Sequence, residues 1–432
     1  MLTPDILHHD PDISRPDIRI RTGLCLLSDR WERMTGMGTF EVEAVRKQFP
    51  GLAEGAAHFD GPGGSQTPQV VADTVARTMV SALANRGRLT PAERLADEIV
   101  LTARQAMADL LGADPRGIVF GRSMTQLTYD FARTLAKTWR PGDEVVVTRL
   151  DHDANVRPWV QAAEATGATV RRLGFDPETS ELDDLAPLLS DRTRLVAVTA
   201  ASNLLGTRPD LESLAPLVRD AGALFYVDGV HLTAHAPVDA TVGDFYLCSP
   251  YKFFGPHCGV LAAAPALLET LRPDKLLPST DVVPERFELG TLPYELLAGT
   301  TAAVEFIAGL GGDGDTTRAR LRSSLELLEA YEDVLRADLE SRLAAIDAVT
   351  LYGHARHRTP TLLFSVAGYE SAEVAAKLAE RGINAPAGAF YAIEPSRHLG
   401  LGDTGAVRAG LAPYTNQADV DRLVEAVQDL SS

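Results

Sequence analysis

Cysteine is scarce in this chain, and long apolar runs are absent from it. Only three of its 432 residues are cysteines, Cys25, Cys248 and Cys258, and their spacing matches neither a disulfide framework nor a zinc site. No uninterrupted apolar run approaches the roughly 20 residues that span a bilayer, and His8 and His9 stand where a signal peptide would have its apolar core. We therefore expect a cytoplasmic protein that is neither secreted nor inserted in a membrane.

Positively charged residues are fewer than negatively charged ones. The chain carries 41 Lys and Arg against 59 Asp and Glu, a formal net charge of -18, and its basic residues form no stripe that would release counterions from phosphates. This balance argues against a nucleic-acid partner. The hydrophobic content of 45% is typical of an ordinary globular protein, and the chain is long enough for two domains.

The composition changes along the chain and predicts four segments. Residues 1–37 are rich in Asp, Arg and Pro with weak periodicity, which is typical of an N-terminal extension. We expect residues 38–60 to pack with a small C-terminal domain, residues 61–298 to form a large cofactor-binding domain, and residues 299–432 to form the small domain. The boundary near residue 299 is where long helices replace shorter alternating elements.

Apolar strands alternate with amphipathic helices through the large segment. The predicted strands cover residues 118–120, 144–147, 170–173, 195–198, 224–227 and 244–247, and helices lie at 126–138, 156–166 and 211–221. This alternation predicts βα units, a mostly parallel sheet, and a ligand site at the carboxyl ends of the strands. The helices 317–344 and 417–430 with the strands 361–366 and 406–411 predict a smaller α+β domain.

Lys252 and Asp228 fall at the same edge of the predicted sheet. Asp228 directly follows one strand, and Lys252 comes just after the strand that ends at Leu247. A lysine amine, a buried carboxylate and a hydroxyl such as Ser249 are what pyridoxal 5'-phosphate (PLP) requires for its aldehyde, its pyridine nitrogen and its phosphate. Taken alone, Asp228 could be an ordinary turn aspartate and Lys252 an ordinary solvated lysine. Their shared edge favours a PLP site.

Further polar groups stand at the ends of neighbouring strands. Ser123, Met124 and Thr125 open a helix after the first strand, where backbone N–H groups favour a phosphate, although Ser and Thr are also ordinary helix caps. His152 follows the second strand, where an imidazole can stack on a cofactor ring. No Cys or second His stands at metal-ligand spacing from it, so we expect no metal. Asn203 ends another strand.

Taken together, four motifs resemble the class V aminotransferase family of PLP enzymes. They are Asp151-His152-Asp153-Ala154-Asn155, Ser202-Asn203, Val227-Asp228-Gly229 and Ser249-Pro250-Tyr251-Lys252. Over residues 38–430 the chain is most similar to the cysteine desulfurase-like branch, which also contains isopenicillin N epimerase, kynureninase and carbon–sulfur lyases. The resemblance implies an α/β chain of PLP fold type I, with a mostly parallel seven-stranded sheet flanked by helices and a smaller α+β C-terminal domain.

The resemblance also implies roles around the cofactor. It makes Lys252 the Schiff-base lysine, Asp228 the partner of the pyridine nitrogen and His152 the residue stacked on the ring. His231 stands where many relatives have a Gln next to the phenolic oxygen, and Tyr251 where they have a His before the lysine. The phosphate contacts would come from Ser123, Thr125 and Ser249, with Met124 and Asn203 as further cofactor contacts.

Three other positions concern the substrate and a partner subunit. Arg408 matches the arginine that grips the α-carboxylate of the substrate, a task that suits a bidentate guanidinium. Thr291 matches a threonine that reaches the phosphate of the neighbouring subunit, which implies a homodimer with shared active sites. Tyr391 and Tyr251 are candidate acids next to the substrate.

The cysteine of the desulfurases has no counterpart in the segment 381–391. We therefore expect carbon–sulfur β-elimination from a cysteine conjugate rather than attack of a thiolate on its sulfur. Epimerisation, transamination, and decarboxylation coupled to oxidative deamination in natural-product biosynthesis stay open, because they share the first steps. Two alternatives of other classes are an inactive PLP-binding protein and a nucleotide-dependent α/β enzyme, although the second lacks a phosphate-loop fingerprint.

Overall fold

The computed structural model describes residues 40–431. The expected extension over residues 1–37 and Cys25 lie outside them. The strands in chain order are β1 (Ala57–His58), β2 (Ile118–Gly121), β3 (Glu144–Thr148), β4 (Thr169–Leu173), β5 (Thr193–Thr199), β6 (Leu224–Asp228), β7 (Phe245–Cys248), β8 (Gly259–Ala263), β9 (Val349–Tyr352), β10 (Thr361–Val366), β11 (Ile383–Asn384), β12 (Ala387–Gly388) and β13 (Ala406–Gly410).

The α-helices of the described residues follow the same numbering. They are α1 (Val42–Arg46), α2 (Gln69–Met79), α3 (Pro91–Leu111), α4 (Met124–Ala136), α5 (Arg157–Thr166), α6 (Leu211–Asp220), α7 (Pro265–Thr270), α8 (Tyr294–Ala308), α9 (Thr317–Ala344), α10 (Ser371–Glu380), α11 (Ile393–His398) and α12 (Gln417–Leu430).

A seven-stranded sheet in the order β2-β8-β7-β6-β5-β3-β4 forms the centre of the large half. The strands from β7 to β4 are parallel, whereas β8 runs antiparallel to both of its neighbours. Apolar side chains fill both faces, because helices cover them, and this explains the unbroken valine run of β3. The predicted α/β class with a mostly parallel sheet is confirmed.

The antiparallel strand β8 passes very close to the start of α4. A Cβ atom added at Gly259, the first residue of β8, would lie 2.2 Å from the backbone carbonyl carbon of Ser123. Only glycine leaves room for this approach. The contact fixes the first turn of α4 against the edge of the sheet, where the strands β2 and β7 also end.

A second sheet organises the C-terminal half. It has four antiparallel strands in the order β12-β13-β10-β9, packed against the 28-residue helix α9 and against α12. The strand β1 pairs with β11, so that Ala57 and Phe59 join the apolar core of this half. The bounds predicted for β10 and α12 agree with the structure, and the smaller C-terminal α+β unit is present as expected.

Several elements have no counterpart among the sequence expectations, and α2, α3, β8 and β9 are among them. The helix α3 does have a sequence signal, because Thr90 and Glu93 form a capping box in which each side chain accepts the backbone N–H of the other residue. The strand β8 is a five-residue apolar segment that starts with glycine, a residue that usually weakens a strand.

No helix among residues 40–431 is both long and apolar enough to cross a bilayer. In the same range, no cluster of three or more His, Cys, Asp or Glu side chains is arranged to hold a metal ion.

A buried ion pair ties α3 to the segment that follows the sheet. Arg104 of α3 donates two hydrogen bonds of 2.8 Å to the carboxylate of Glu288, which also accepts the backbone N–H of Phe120 at 2.9 Å. Both charged side chains are almost fully buried. The pair therefore joins β2 to the chain that leads into Thr291.

We expect Arg104→Met to lower the free energy of unfolding by about 3 kcal/mol, because the carboxylate of Glu288 stays buried without its counter-charge. Urea unfolding followed by circular dichroism measures the change. The matched control is Arg397→Ala, which removes an ion pair to Asp403 that is exposed on both sides and should leave the midpoint unchanged. Equal midpoints for the two variants would show that the Arg104 pair contributes nothing beyond a surface contact.

Candidate active site

One cavity of about 560 Å³ lies at the carboxyl ends of the central strands. It is lined by all but one of the residues that the sequence singled out. These are Ser123, Met124, Thr125, His152, Asn203, Asp228, His231, Ser249, Tyr251, Lys252, Tyr391 and Arg408. The exception is the exposed Thr291, which lies with Leu289 and His257 in a separate groove.

The strands position the two central residues of the cavity. Asp228 is the last residue of β6 and pairs in register with Leu247 of β7, so that the turn after β7 starts beside it. That turn is a short 3-10 helix, Pro250–Lys252, with Ser249 at its N-terminus. Lys252 therefore ends close to the carboxylate of Asp228 because two parallel neighbours end at one edge.

The Lys252 amine is held in a largely desolvated position. Its Nζ donates a hydrogen bond to the carbonyl oxygen of Pro62, in the turn Gly61–Gly63. Burial and, to a smaller extent, the positive charge of Arg408 lower the pKa of Lys252 to about 7, against the opposing effect of Asp228. A substantial fraction of this amine is therefore neutral near neutral pH.

Asp228 is a buried carboxylate without a salt bridge to any of the residues 40–431. Only 5% of the residue is exposed, and its Oδ1 accepts the backbone N–H of Val230 at 2.9 Å. Burial raises the pKa of Asp228 to about 6, against the opposing effects of that hydrogen bond and of Lys252. Such a group calls for a cationic N–H partner, which a bound ligand can supply.

A second buried acid, Asp151, stands beneath the cavity. It accepts hydrogen bonds from the side chains of Asn155, at 2.7 Å, and Thr148. Burial and, to a smaller extent, the charge of the neighbouring Asp228 raise the pKa of Asp151 to about 8, against the opposing effect of its hydrogen bonds. Asp151 is therefore mostly protonated at neutral pH, which leaves Asp228 as the negative charge of the pair.

The His152 ring is neutral. Burial, together with the charges of Lys252 and Arg408, lowers the pKa of His152 to about 4. Its Nδ1 accepts the backbone N–H of Ala154 at 3.0 Å, so the proton of the neutral ring is on Nε2. An uncharged aromatic ring fixed in this way is suited to stacking on another ring.

Arg408 on β13 brings a cation from the C-terminal half into the cavity wall. It is only 2% exposed, its Nη1 donates to the carbonyl oxygen of Asn203 at 2.9 Å, and its guanidinium lies 3.7 Å above the ring of Phe390. Burial lowers the pKa of Arg408 to about 9, with Asp60 opposing the change. The Nε atom has no hydrogen-bond partner in the described protein.

A strained turn completes this wall. Phe390 and Tyr391 have φ values of 51° and 58°, which are uncommon for residues with a side chain. Two hydrogen bonds fix the turn. Asn203 Nδ2 donates to the carbonyl oxygen of Phe390 at 3.0 Å, and the backbone N–H of Asp153 donates to the carbonyl oxygen of Tyr391 at 2.7 Å. The Tyr391 side chain is 79% exposed next to His152.

Another part of the cavity wall is the N-terminus of α4. Ser123 caps α4, and its Oγ accepts the backbone N–H of Gln126 at 3.1 Å. The first turn of this 13-residue helix, with Met124 and Thr125, lines the cavity together with the buried Ser249. Free N–H groups and hydroxyls at a helix N-terminus are favourable partners for a phosphate.

Sequence reasoning missed several lining residues. Tyr129 lies one turn into α4, and Asp153 and Arg157 form an ion pair of 3.2 Å next to His152. These residues could have been found from the sequence, because they closely follow Ser123 and His152 along the first turns of the helices. The cavity contacts of Phe390 carried no comparable signal, because that residue comes from a turn remote in sequence.

The comparison with known proteins decides the family. A profile of the aminotransferase class-V family matches residues 57–423. The chain belongs to the class V aminotransferase family. Members of this family are PLP-dependent and act on amino acids, and the present chain is a PLP-dependent enzyme. The expected family, fold type and cofactor are thereby confirmed.

Three relatives illustrate the range of the family. The chain is 34% identical to the protein MT3887 of Mycobacterium tuberculosis over 90% of this chain and 99% of that protein. It is 31% identical to the aminotransferase-like protein FGM3 of Gibberella zeae, over 90% and 98%. It is 32% identical to the cysteine desulfurase CsdA of Escherichia coli, over 90% and 98%, and a CsdA crystal structure superposes with a TM-score of 0.79, covering 91% of this chain and 99% of that one.

The polar groups that line the cavity fit PLP independently of the family comparison. Asn203 Oδ1 and Arg408 Nε are buried polar atoms without partners in the described protein, and Asp228 is a buried carboxylate without a counter-charge in contact. A ligand with a cationic ring N–H, an aldehyde and a phosphate satisfies Asp228, Lys252 and the N-terminus of α4 at once.

We expect Lys252 in the cofactor-free protein to react with an amine-specific acylating reagent with a midpoint near pH 7. Arg408→Gln should move this midpoint upwards, because it removes a nearby positive charge, and Asp228→Asn should move it downwards, because it removes a negative one. Mass spectrometry of the labelled peptide measures the midpoint, and the exposed Lys47 corrects for reagent reactivity. Shifts in the same direction for both variants would contradict the charge assignment.

Proposed function

We propose that the cavity holds PLP on Lys252 and catalyses carbon–sulfur β-elimination from a cysteine conjugate. The observation that carries the proposal is one cavity that joins a lysine of lowered pKa, a buried Asp228 and a buried Arg408, with no cysteine in its wall. Bound PLP supplies an aldehyde for covalent attachment and a ring that accepts electrons from the α-carbon of the substrate.

Lys252 serves as the base in this proposal. When Nζ is not bonded to the cofactor, its lowered pKa would keep part of it neutral at neutral pH. The neutral amine accepts the α-proton of the substrate. The carbonyl oxygen of Pro62, which accepts a hydrogen bond from Nζ, orients the amine.

Arg408 and its neighbours bind the α-carboxylate. The guanidinium is already oriented by Asn203 and by the ring of Phe390, so little freedom is lost when a carboxylate binds. A buried arginine with an unpartnered Nε gains most from a planar anion. This arrangement selects α-amino acids over simple amines.

The remaining lining residues hold the cofactor. Asp228, still ionised because Asp151 takes the proton, faces the pyridine nitrogen, and the neutral His152 stacks on the ring. Tyr251 flanks the lysine, with its ring 4.9 Å from Nζ. His231 contacts the phenolic oxygen, and the phosphate contacts come from Ser123, Met124, Thr125 and Ser249, with Asn203 as a further contact.

The thiols of the described chain favour elimination over desulfuration. Cys248 and Cys258 are buried, and neither lines the cavity. Burial raises the pKa of Cys258 to about 11 and that of Cys248 well above its usual range, so neither forms a ready thiolate. Elimination needs no thiolate from the protein, because the thiol of the conjugate leaves with the electron pair of its carbon–sulfur bond.

A homodimer with shared active sites is part of the proposal. Exposed apolar side chains support it, namely Met79, Leu89, Leu277 and Leu289. Met79 and Leu289 line two grooves that share His257, and the second of these grooves contains Thr291. We further propose that the enzyme works in the cytoplasm.

We expect the purified protein to release pyruvate and ammonia from cysteine conjugates in equal amounts with the free thiol. A lactate dehydrogenase assay measures pyruvate, and a glutamate dehydrogenase assay measures ammonia. The control is Lys252→Ala, which removes the base and should abolish release. A variant in which Cys25, Cys248 and Cys258 are all replaced by Ala should retain it, because no protein thiol takes part.

Other products would redirect the proposal within the family. Alanine with a protein persulfide would mean desulfuration, and racemised substrate would mean epimerisation. Carbon dioxide with hydrogen peroxide would mean decarboxylating oxidative deamination, and transfer of nitrogen to a keto acid would mean aminotransfer in natural-product biosynthesis. Any of these without pyruvate would overturn β-elimination.

We expect Arg408→Ala to raise the KM for the conjugate by about 100-fold, since a charge-assisted hydrogen-bond pair is worth about 3 kcal/mol. The chemical step at saturating substrate should change less, because Lys252 is intact. Steady-state kinetics separates the two, with the exposed Arg397→Ala as the control. An unchanged KM would remove Arg408 from substrate binding.

A further inference from the structure

His231 is a cavity residue whose ring is held by a distant part of the chain. Its Nε2 lies 3.0 Å from the Oγ1 atom of Thr359 and 3.0 Å from that of Thr361, which begins β10 in the C-terminal half. All three side chains are buried. The protonation of an imidazole in the cavity is therefore linked to two hydroxyls outside it.

The direction of these hydrogen bonds follows from the hydroxyls. Thr361 is 1% exposed, and His231 Nε2 is the hydrogen-bond partner of its hydroxyl among residues 40–431. A buried hydroxyl that did not donate would be costly, so the Thr361 proton points to Nε2. Thr359 has a second acceptor, the carbonyl oxygen of Gly206 at 3.3 Å. Nε2 is thus an acceptor, and the proton of the neutral ring is on Nδ1.

The surroundings keep this ring neutral and oriented. Burial lowers the pKa of His231 well below its usual value, and the charges of His235, Arg408 and Lys252 act in the same direction. The His235 ring packs edge-on against His231 at 5.1 Å between centroids. The nearby carboxylate of Glu332 is bonded to His235 Nδ1 at 2.9 Å, so it satisfies His235 and not His231.

We propose that Thr361 is a positioning residue that fixes His231 as the Nδ1–H tautomer, so that it presents an N–H donor to the cavity. No described residue bonds Nδ1, which is therefore left for a ligand. The inference rests on the proposed cofactor site, in which the ligand atom is the phenolic oxygen of PLP. A histidine can replace the amide donor of a glutamine only in this tautomer, since the other one presents a lone pair to an anionic oxygen.

The expected effect is on the proton that the bound cofactor shares with Lys252. A donor at the phenolic oxygen stabilises its anionic form and lowers the pKa of that shared proton. Without the Thr361 hydroxyl, the His231 proton moves to Nε2, where Thr359 accepts it. The cavity then loses its donor, and the pKa rises.

The test is an absorbance titration of the holoenzyme against pH. Thr361→Val should raise the pKa of the cofactor transition by about one unit, a tenfold change equivalent to about 1.4 kcal/mol. Thr361→Ser, which keeps the hydroxyl, should match the wild type. In a His231→Gln background, Thr361→Val should have no effect, because an amide donates without a tautomer. An unshifted Thr361→Val, or the same shift in both backgrounds, would refute the proposal.

A second measurement detects the tautomer of His231 directly in the wild-type holoenzyme. Nitrogen-15 NMR of histidine-labelled holoenzyme should show Nδ1 of His231 as the protonated nitrogen, with His231→Gln used for assignment. A protonated Nε2 would refute the tautomer directly. Failure of the proposed cofactor site can be distinguished from failure of the tautomer proposal. In that case borohydride would leave Lys252 unlabelled, and the wild type would show no titrating cofactor band. That outcome would also refute the inference on His231.

Discussion

The burial of Asp228 without a contacting counter-charge is the constraint on which the site depends. Its carboxylate is at the end of a central strand, and its hydrogen-bond partner among residues 40–431 is one backbone N–H. A neighbouring acid, Asp151, stays mostly protonated and leaves Asp228 the negative charge. A charge in this position is costly unless a ligand completes it. A cationic N–H donor bound in the cavity would therefore offset a desolvation cost that the folded protein leaves uncompensated.

The two halves of the chain contribute different parts of the chemistry. The central sheet supplies the lysine, the acid and the anion site, all at the ends of strands or at the start of a helix. The C-terminal half supplies Arg408, the Phe390 turn and the threonines that hold His231. Asn203 joins the two, because it bonds both Arg408 and the carbonyl oxygen of Phe390. The substrate role proposed for Arg408 thus depends on the contacts between the two halves.

How much of the fold and of the site could be predicted from the sequence depends on how far apart the interacting residues are along the chain. Strands such as β10, the helix α12 and the edge shared by Asp228 and Lys252 are encoded by local periodicity, so they could be predicted within a residue or two. The strained turn at Phe390 and the tautomer of His231 could not. Each depends on contacts between residues more than 100 positions apart, and nothing in the local pattern around Phe390 or Thr361 indicates them.

The antiparallel strand β8 has one more consequence, which concerns molecular size. It separates β2, which leads to the anion-binding helix, from β7, which leads to the reactive lysine, and it lets both arrive at the same edge. Neighbouring strands are about 4.8 Å apart, so the two anchors are roughly 10 Å apart across the sheet. The hydrogen-bonded spacing of three neighbouring strands therefore sets the distance between the helix N-terminus and the lysine turn, and a ligand that contacts both has to span that distance.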